Sequence, residues 1–474
     1  MDDALARARL HRDAHGPEIL RRFADLLAIP NVAADPEGLA ENARRIRDAF
    51  LDRGVHAATI ALPGAATAVL GRIDGRPGGP RYGVYAHYDG QPADPQHWSS
   101  PPFTPTLRSG ALEAGGARIP FPEPGEAVDL EWRIYARGSA DDRGAIAALL
   151  GAVDALDGRR PEATVVFLFE GEEEHGSPHL PEYLETLADR LAADLWLVCD
   201  GPVHPSGRPQ VVFGVRGIAT VEIEVFGPPT DLHSGHYGAW APNPAWLLSA
   251  LVASLRDGSR AVRVAGFSDG AFDDPEAVRA ARTVPDPGDL GFALPAEGPG
   301  YAERMLRPLI NVRGLRAGDV GEAARNVVPA SAVASLDLRL VPGQDPEAAI
   351  RSVRDHVAGL GFHVVDGEPD AATRRGHRRI ARVTGTPGYP GVRTPIGHPA
   401  AARVIEAVRA AGGDPVLLPS FGSSVPLHHF VEALGAAPVI LPIANADNHQ
   451  HASDENLRVG NFWYGIDVLA ALLG

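Results

Sequence analysis

Tyr82-Gly83-Val84-Tyr85-Ala86-His87-Tyr88-Asp89 is the stretch on which the reading of this chain turns. An apolar run with the character of a β-strand ends directly in an imidazole and a carboxylate. The arrangement recurs. Trp132–Tyr135 leads to Gly138-Ser139-Ala140-Asp141-Asp142, Val165–Phe169 to Glu172-Glu173-Glu174, Leu195–Cys199 to Asp200, and Val439–Ile443 to Asn448-His449-Gln450-His451. In an open α/β sheet the residues just beyond the carboxyl ends of strands line one crevice, so five such clusters can converge. Imidazole and carboxylate without thiolate suit a hydrolytic divalent metal such as zinc. The clusters lie between positions 87 and 451, too far apart for a local finger, so a fold must assemble the site.

The rest of the composition narrows the chemistry. At 474 residues the chain is long for one core, which predicts two domains. The net charge of −16 argues against nucleic acid or an anionic membrane as partner. All 44 basic residues are arginine, so no phosphate-binding lysine, pyridoxal Schiff base or lysine nucleophile exists here. No Gly-x-Ser-x-Gly elbow was found, which disfavours a serine hydrolase. The single Cys199 cannot form an intramolecular disulfide, and its apolar strand suggests packing. Residues Met1–Ile29 alternate charge with Leu and Ala and lack the continuous apolar core of a signal peptide. No apolar run approaches a membrane span, and a cytoplasmic location is expected.

The first part alternates helix and strand. Helices are expected at Glu18–Leu27 and Leu39–Arg53, strands at Ala66–Ile73 and Tyr82–Tyr85, and a helix over Ala145–Leu156. Strand Val165–Phe169, helix Pro181–Leu191 and strand Leu195–Cys199 follow. The character changes near Val211. Ala219–Phe226, a candidate edge strand, and Ala332–Leu340 alternate as half-exposed strands do, helices are expected at Pro244–Leu255 and Ala348–Leu360, and Phe362–Val365 is a further strand. Together these predict a small two-layer βαββαβ-like unit inserted into the first domain. Asp257–Arg316 reads as a long irregular stretch and Thr384–Pro399 as the returning linker, after which helix Ala400–Ala411 and strand Val439–Ile443 rejoin the first sheet.

Within the clusters, Asp141 is the natural carboxylate to bridge two ions, standing at the head of a helix whose dipole favours an anion. The simpler alternative is a helix cap. His87 and Asp89 are two apart on an extended segment and point the same way, so one can bind metal while the other orients it; a surface pair is the alternative. Glu172, Glu173 and Glu174 repel one another unless cations neutralise them, or unless they form a solvated acidic turn. One could ligate metal while its neighbour takes a proton as general base. His428-His429, after Pro426, reads as a surface or supporting pair.

Ala86-His87-Tyr88-Asp89, Ala136–Gly144, Glu170-Gly171-Glu172-Glu173-Glu174 and Asp231-Leu232-His233-Ser234-Gly235 together resemble the signature segments of one family. It is the dinuclear zinc metallopeptidase family of carnosine dipeptidases, glutamate carboxypeptidases, aminoacylases and succinyl-diaminopimelate desuccinylases. The likeness runs along nearly the whole chain in the same order. The long Asp257–Arg316 stretch and the segment Asp231–Gly238 resemble the dipeptidase branch most.

The resemblance implies an α/β fold: a zinc-peptidase-like catalytic domain with helices around a mixed, largely parallel sheet, and an inserted two-layer α+β dimerisation or lid domain. The catalytic domain would comprise residues 1–210 and 394–474, and the insert 211–393. Two Zn2+ per subunit, with manganese or cobalt as alternatives, would be held by His87, Asp141, Glu174, Asp200 and His451, Asp141 bridging. Glu173 would be the general base and Asp89 would support His87. His233 would reach the active site of the partner in a homodimer, Arg339 would grip a substrate carboxylate, and Asn326 and Ser424 would contact substrate. Arg143 stands where the family often has lysine. His449 remains a second candidate beside His451, and Gly176-Ser177 favours Glu173 and Glu174 over Glu172. The implied reaction is cleavage of the amide bond of a dipeptide or small N-acyl amino acid. Alternatives are an acyl-transferring, amide-forming enzyme or a non-catalytic scaffold on the same fold.

Overall fold

The computed structural model describes residues 2–258, 261–271, 274–286, 288, 291, 298–422 and 425–474. Its largest sheet has eight strands in the order His56–Ile60, Ala68–Ile73, Thr164–Glu170, Arg81–His87, Leu195–Val198, Pro438–Ile440, Gln210–Val212 and Val416–Leu418. Arg81–His87 pairs parallel with both Thr164–Glu170 and Leu195–Val198, and Pro438–Ile440 pairs parallel with Leu195–Val198. Antiparallel pairs flank this centre, and Val416–Leu418 pairs parallel with Gln210–Val212 at the far edge, giving the mixed, largely parallel sheet expected.

Period-two alternation divides the central strands between two cores. Tyr82, Val84, Ala86, Val165, Phe167, Phe169, Leu195 and Leu197 pack on one face, under helices Asp2–Leu27, Pro36–Leu51, Arg143–Asp154, Pro399–Gly412 and Val459–Leu473. Tyr85, Val166, Leu168, Trp196 and Val198 pack on the other, under Leu180–Leu187 and Leu427–Leu434. A parallel sheet covered on both faces reads as a continuous apolar run, which is why these strands stood out in the sequence. Gly83 lets Trp196 lie flat on its strand, since a Cβ there would fall 2.2 Å from the indole. Cys199 is buried in the first core, a packing position.

A five-stranded sheet follows in the order Leu309–Ala317, Ser331–Leu340, Gly217–Phe226, Ile380–Tyr389 and His363–Val365, antiparallel except for the last pair. Helices Pro244–Ser254, capped by Asn243, and Pro346–Gly359 bury one face of it around Val221, Ile223, Leu336, Leu338 and Val353. Gln210–Val212, across the expected boundary at 210/211, still belongs to the larger sheet.

Four expectations need correction. Ala219–Phe226, read as a candidate edge, lies at the centre of its sheet, whose edges are His363–Val365 and Leu309–Ala317. That strand lies inside the stretch read as irregular; its partner covers one side only and most of its residues are exposed, so no burial period marks it. Ile380–Tyr389 extends into the expected linker. Beyond Arg382 it pairs on one side only, a setting in which a strand tolerates a proline such as Pro387. Arg133–Tyr135 does not join the large sheet but forms a ribbon with Thr106–Arg108 and Asn456–Arg458. Among the described residues, no helix is long and apolar enough to cross a membrane.

Candidate metal centre

His87 ends the central strand Arg81–His87 and is fully buried. Its Nδ1 lies 3.3 Å from Asp89 Oδ1 and its Nε2 lies 3.0 Å from Asp141 Oδ1. The Asp89 carboxylate also accepts the backbone N–H groups of Glu173 at 3.2 Å and Glu174 at 3.1 Å. One buried carboxylate therefore orients the imidazole and anchors the acidic turn of the neighbouring strand. A partner on the far nitrogen fixes the ring a ligating histidine presents.

Asp141 arrives by another route. The ribbon strand Arg133–Tyr135 feeds a loop wrapped around the buried carboxylate of Glu455. That carboxylate accepts N–H groups from Gly138 (2.9 Å), Ala140 (2.8 Å) and Asp141 (3.0 Å), and pairs with Arg137 Nη1 at 2.7 Å. The Arg137 guanidinium stacks over Trp98 and also donates to the Ala452 carbonyl. Arg143, fully buried, donates to the carbonyls of Leu26, Ile29 and Arg137 and to Asn42 Oδ1, tying the loop to the first two helices. Burial pushes its guanidinium down to about 9. No role was read for Glu455 from sequence; a lone acid beside Asp454 and Asn456 gives no hint that three distant amides converge on it.

The Glu172-Glu173-Glu174 run divides by direction. Glu172 turns away to His179, 2.9 Å from its Nδ1. Glu173–His175 forms a single 3-10 turn. Glu174 Oε2 accepts from Gln91 at 2.7 Å and lies 3.3 Å from His451 Nε2, which is also 3.1 Å from Asp141 Oδ2. His449 lies elsewhere, 3.3 Å from Glu113. His449 and His451 both have left-handed backbone (φ 58° and 62°), a conformation that persists in a non-glycine residue only when its surroundings hold it. An asparagine network does so: Asn448 accepts from the Gln450 N–H and donates to the Asn445 carbonyl, and Asn456 receives Arg133.

Two groups of donors result: His87, Asp141 and Asp200; and Asp141, Glu174 and His451, each with donor atoms within 4.8 Å of one another. Asp141 is common to both. Among the described residues, His87 Nε2 and Asp141 Oδ2 are buried without a hydrogen-bond partner despite their close neighbours, as atoms awaiting another ligand are. The donor set, nitrogen and oxygen only, fits two divalent ions bridged by one carboxylate.

The electrostatics agree. Burial, with Asp141 next to it, raises the Asp200 carboxyl to about 6, and burial and Asp141 raise Glu174 to about 7. Glu173 is held well above the usual carboxylate range by burial, with Asp200, Asp141 and Glu174 adding to it. Contact with Asp141 lifts His451 to about 9, whereas the two imidazoles overcome burial and pull Asp141 below its ordinary value. Carboxyls raised in this way are ones whose ionised forms nearby cations would favour.

The remaining residues singled out in the sequence stand outside these two groups. His233, exposed, pairs across a short antiparallel bridge with Val327, and its Nδ1 accepts the Gly235 N–H. Asn326, also exposed, is held beside it, its carbonyl accepting the Ser234 N–H. Arg339, on the strand Ser331–Leu340, donates to Asp337 at 2.8 Å. Ser424 lies outside the described residues.

Comparison with known proteins matches residues 83–474 to a single family model, Peptidase family M20/M25/M40. The Cys-Gly metallodipeptidase of Schizosaccharomyces pombe is 25% identical over 493 residues, covering 96% of this chain and 95% of the relative. The human Beta-Ala-His dipeptidase is 24% identical over 410 residues, 82% of this chain and 73% of the relative. Among solved structures, an M20 family metallo-carboxypeptidase from Sulfolobus solfataricus superposes with a TM-score of 0.74 at 27% identity, covering 96% of this chain and 98% of the other. A dipeptidase from Saccharomyces cerevisiae gives 0.71 at 21% identity, covering 100% and 98%. The chain belongs to Peptidase family M20/M25/M40.

Proposed function

We propose that this protein is a metal-dependent dipeptidase using two zinc ions, held by His87, Asp141, Glu174, Asp200 and His451. The observation that carries the reading is the pair of donor groups sharing Asp141, with Glu173 beside them. The dipeptidase names of its relatives supply the substrate class. When bound, the ions supply Lewis acidity to the scissile carbonyl and to the attacking water. Glu173 accepts the proton of that water and delivers it to the leaving amine. Two nearby cations favour its carboxylate form, reversing the effect of its acidic neighbours. Asp89 keeps His87 and the Glu173 turn in register. Arg339, steadied by Asp337, grips the substrate carboxylate, with Asn326 and Ser424 as further contacts.

In this reading residues 1–210 and 394–474 form the catalytic domain and 211–393 a lid that dimerises. The edge strand Leu309–Ala317 leaves Val312 and Leu315 exposed, an open edge suited to pairing with its two-fold mate. His233 then completes the active site of the partner subunit. A cytoplasmic setting belongs to the same reading, since the lone Cys199 needs no oxidising compartment. Screening dipeptides, Cys-Gly and β-Ala-His among them, and N-acyl amino acids by mass spectrometry, with metal content measured alongside, tests it. Turnover of dipeptides by protein holding two ions per chain is expected; a metal-loaded protein that cleaves none of the panel would overturn it.

A further inference from the structure

We propose that His428, His429 and Glu432 form a separate site for one divalent cation of the zinc class. The three lie on helix Leu427–Leu434, and donor atoms from each fall within 4.8 Å of one another, close enough for small side-chain rotations to bring them onto one ion with bonds of about 2.0–2.2 Å. None of them belongs to either group that shares Asp141. His429 and Glu432, three apart, are neighbours on the helix surface. The His428 ring is drawn onto His429, with centroids 3.7 Å apart.

A second observation points to a ligand. His428 is 7% exposed, and its Nδ1 has no hydrogen-bond partner among the described residues. Buried ring nitrogens are nearly always bonded to something. Tyr389 stacks on the His428 ring at 4.8 Å and 11°, fixing its plane before any ion arrives. His429 is half-buried and Glu432 exposed, so an ion has a path from solvent. The site lies in the first turns of the helix, where the backbone field disfavours a cation, and the Glu432 carboxylate offsets that field. Two imidazoles and one carboxylate prefer zinc, nickel or copper to magnesium or calcium. Three protein donors leave a coordination position open, as in an exchangeable site.

The inference does not depend on the dipeptidase reading, because it concerns donors outside the dinuclear centre and is read by metal binding. The test titrates Zn2+ into protein already loaded at its tight sites, and counts zinc per chain after gel filtration. One further equivalent is expected for the wild type, bound at least about tenfold more weakly by Glu432→Gln and by His429→Asn, a loss of about 1.4 kcal/mol. Glu432 is exposed, so its variant tests the site without touching the core. Copper added to the same samples should give an electron paramagnetic resonance signal with two nitrogen couplings beyond those of the loaded centre, reduced to one in His429→Asn. Should the buried His428→Asn fail to fold, the other two variants still decide. Equal zinc counts and equal affinity in the wild type and both variants would overturn the proposal.

Discussion

Replacing Glu455 by alanine should unseat the loop that carries Asp141. The side chain is fully buried and receives three backbone N–H groups and the Arg137 guanidinium. Removing one partner of a buried pair costs about 3–5 kcal/mol, because the other charge is left without compensation. The three orphaned amides, at Gly138, Ala140 and Asp141, push toward the upper end, while Arg137 keeps the Ala452 carbonyl and the Trp98 face and pulls back. A loss of about 4 kcal/mol is the balance. Glu131→Ala is the control, since Glu131 pairs with Arg458 at the surface, where such a pair contributes about 1 kcal/mol or less. Denaturant unfolding with a paired zinc-affinity measurement is the assay. Glu455→Ala should lose both stability and zinc, and Glu131→Ala neither. A Glu455→Ala protein within about 1 kcal/mol of the wild type, with zinc intact, would refute the claim that this carboxylate positions Asp141.

Other outcomes follow from the same geometry. Glu173→Ala should lower kcat roughly 10²–10⁴-fold with metal content unchanged, whereas Glu174→Ala should lose metal; the reverse pattern, seen by elemental analysis with steady-state kinetics, would move the base by one residue. In the ion-free chain Asp200 and Glu174 sit above their ordinary values, at about 6 and about 7. Their protonation therefore stabilises the chelated protein at low pH, and that contribution fades as pH rises through 6 to 7. Zinc needs the ionised ligands, so its apparent affinity should climb over the same window; a flat competition titration between pH 5 and 8 would contradict this. Mixing inactive His233→Ala and Glu173→Ala subunits under exchange should restore one active site of the two in each heterodimer, and no recovery despite proven exchange would return His233 to a structural role.

The sequence by itself determined where the chemistry attaches to the fold. Strands buried on both faces, such as Thr164–Glu170 and Leu195–Val198, are continuous apolar runs, and the residue after such a run must emerge at the sheet's carboxyl edge. His87, the glutamate run and Asp200 were legible for that reason. Local pattern could not tell which way neighbouring like residues face. Glu172 turns to His179 while Glu174 turns to His451, and His449 turns to Glu113 while His451 meets Asp141. Apart from the nearby His179, the partners that decide those choices lie hundreds of residues away in the chain. Glu455 shows the same limit, because its role exists only once the 137–141 loop has closed around it. The edge strand Leu309–Ala317 was hidden for the opposite reason: with one neighbour and little buried surface, nothing in its composition needed to alternate, and only pairing with Ser331–Leu340 makes it a strand.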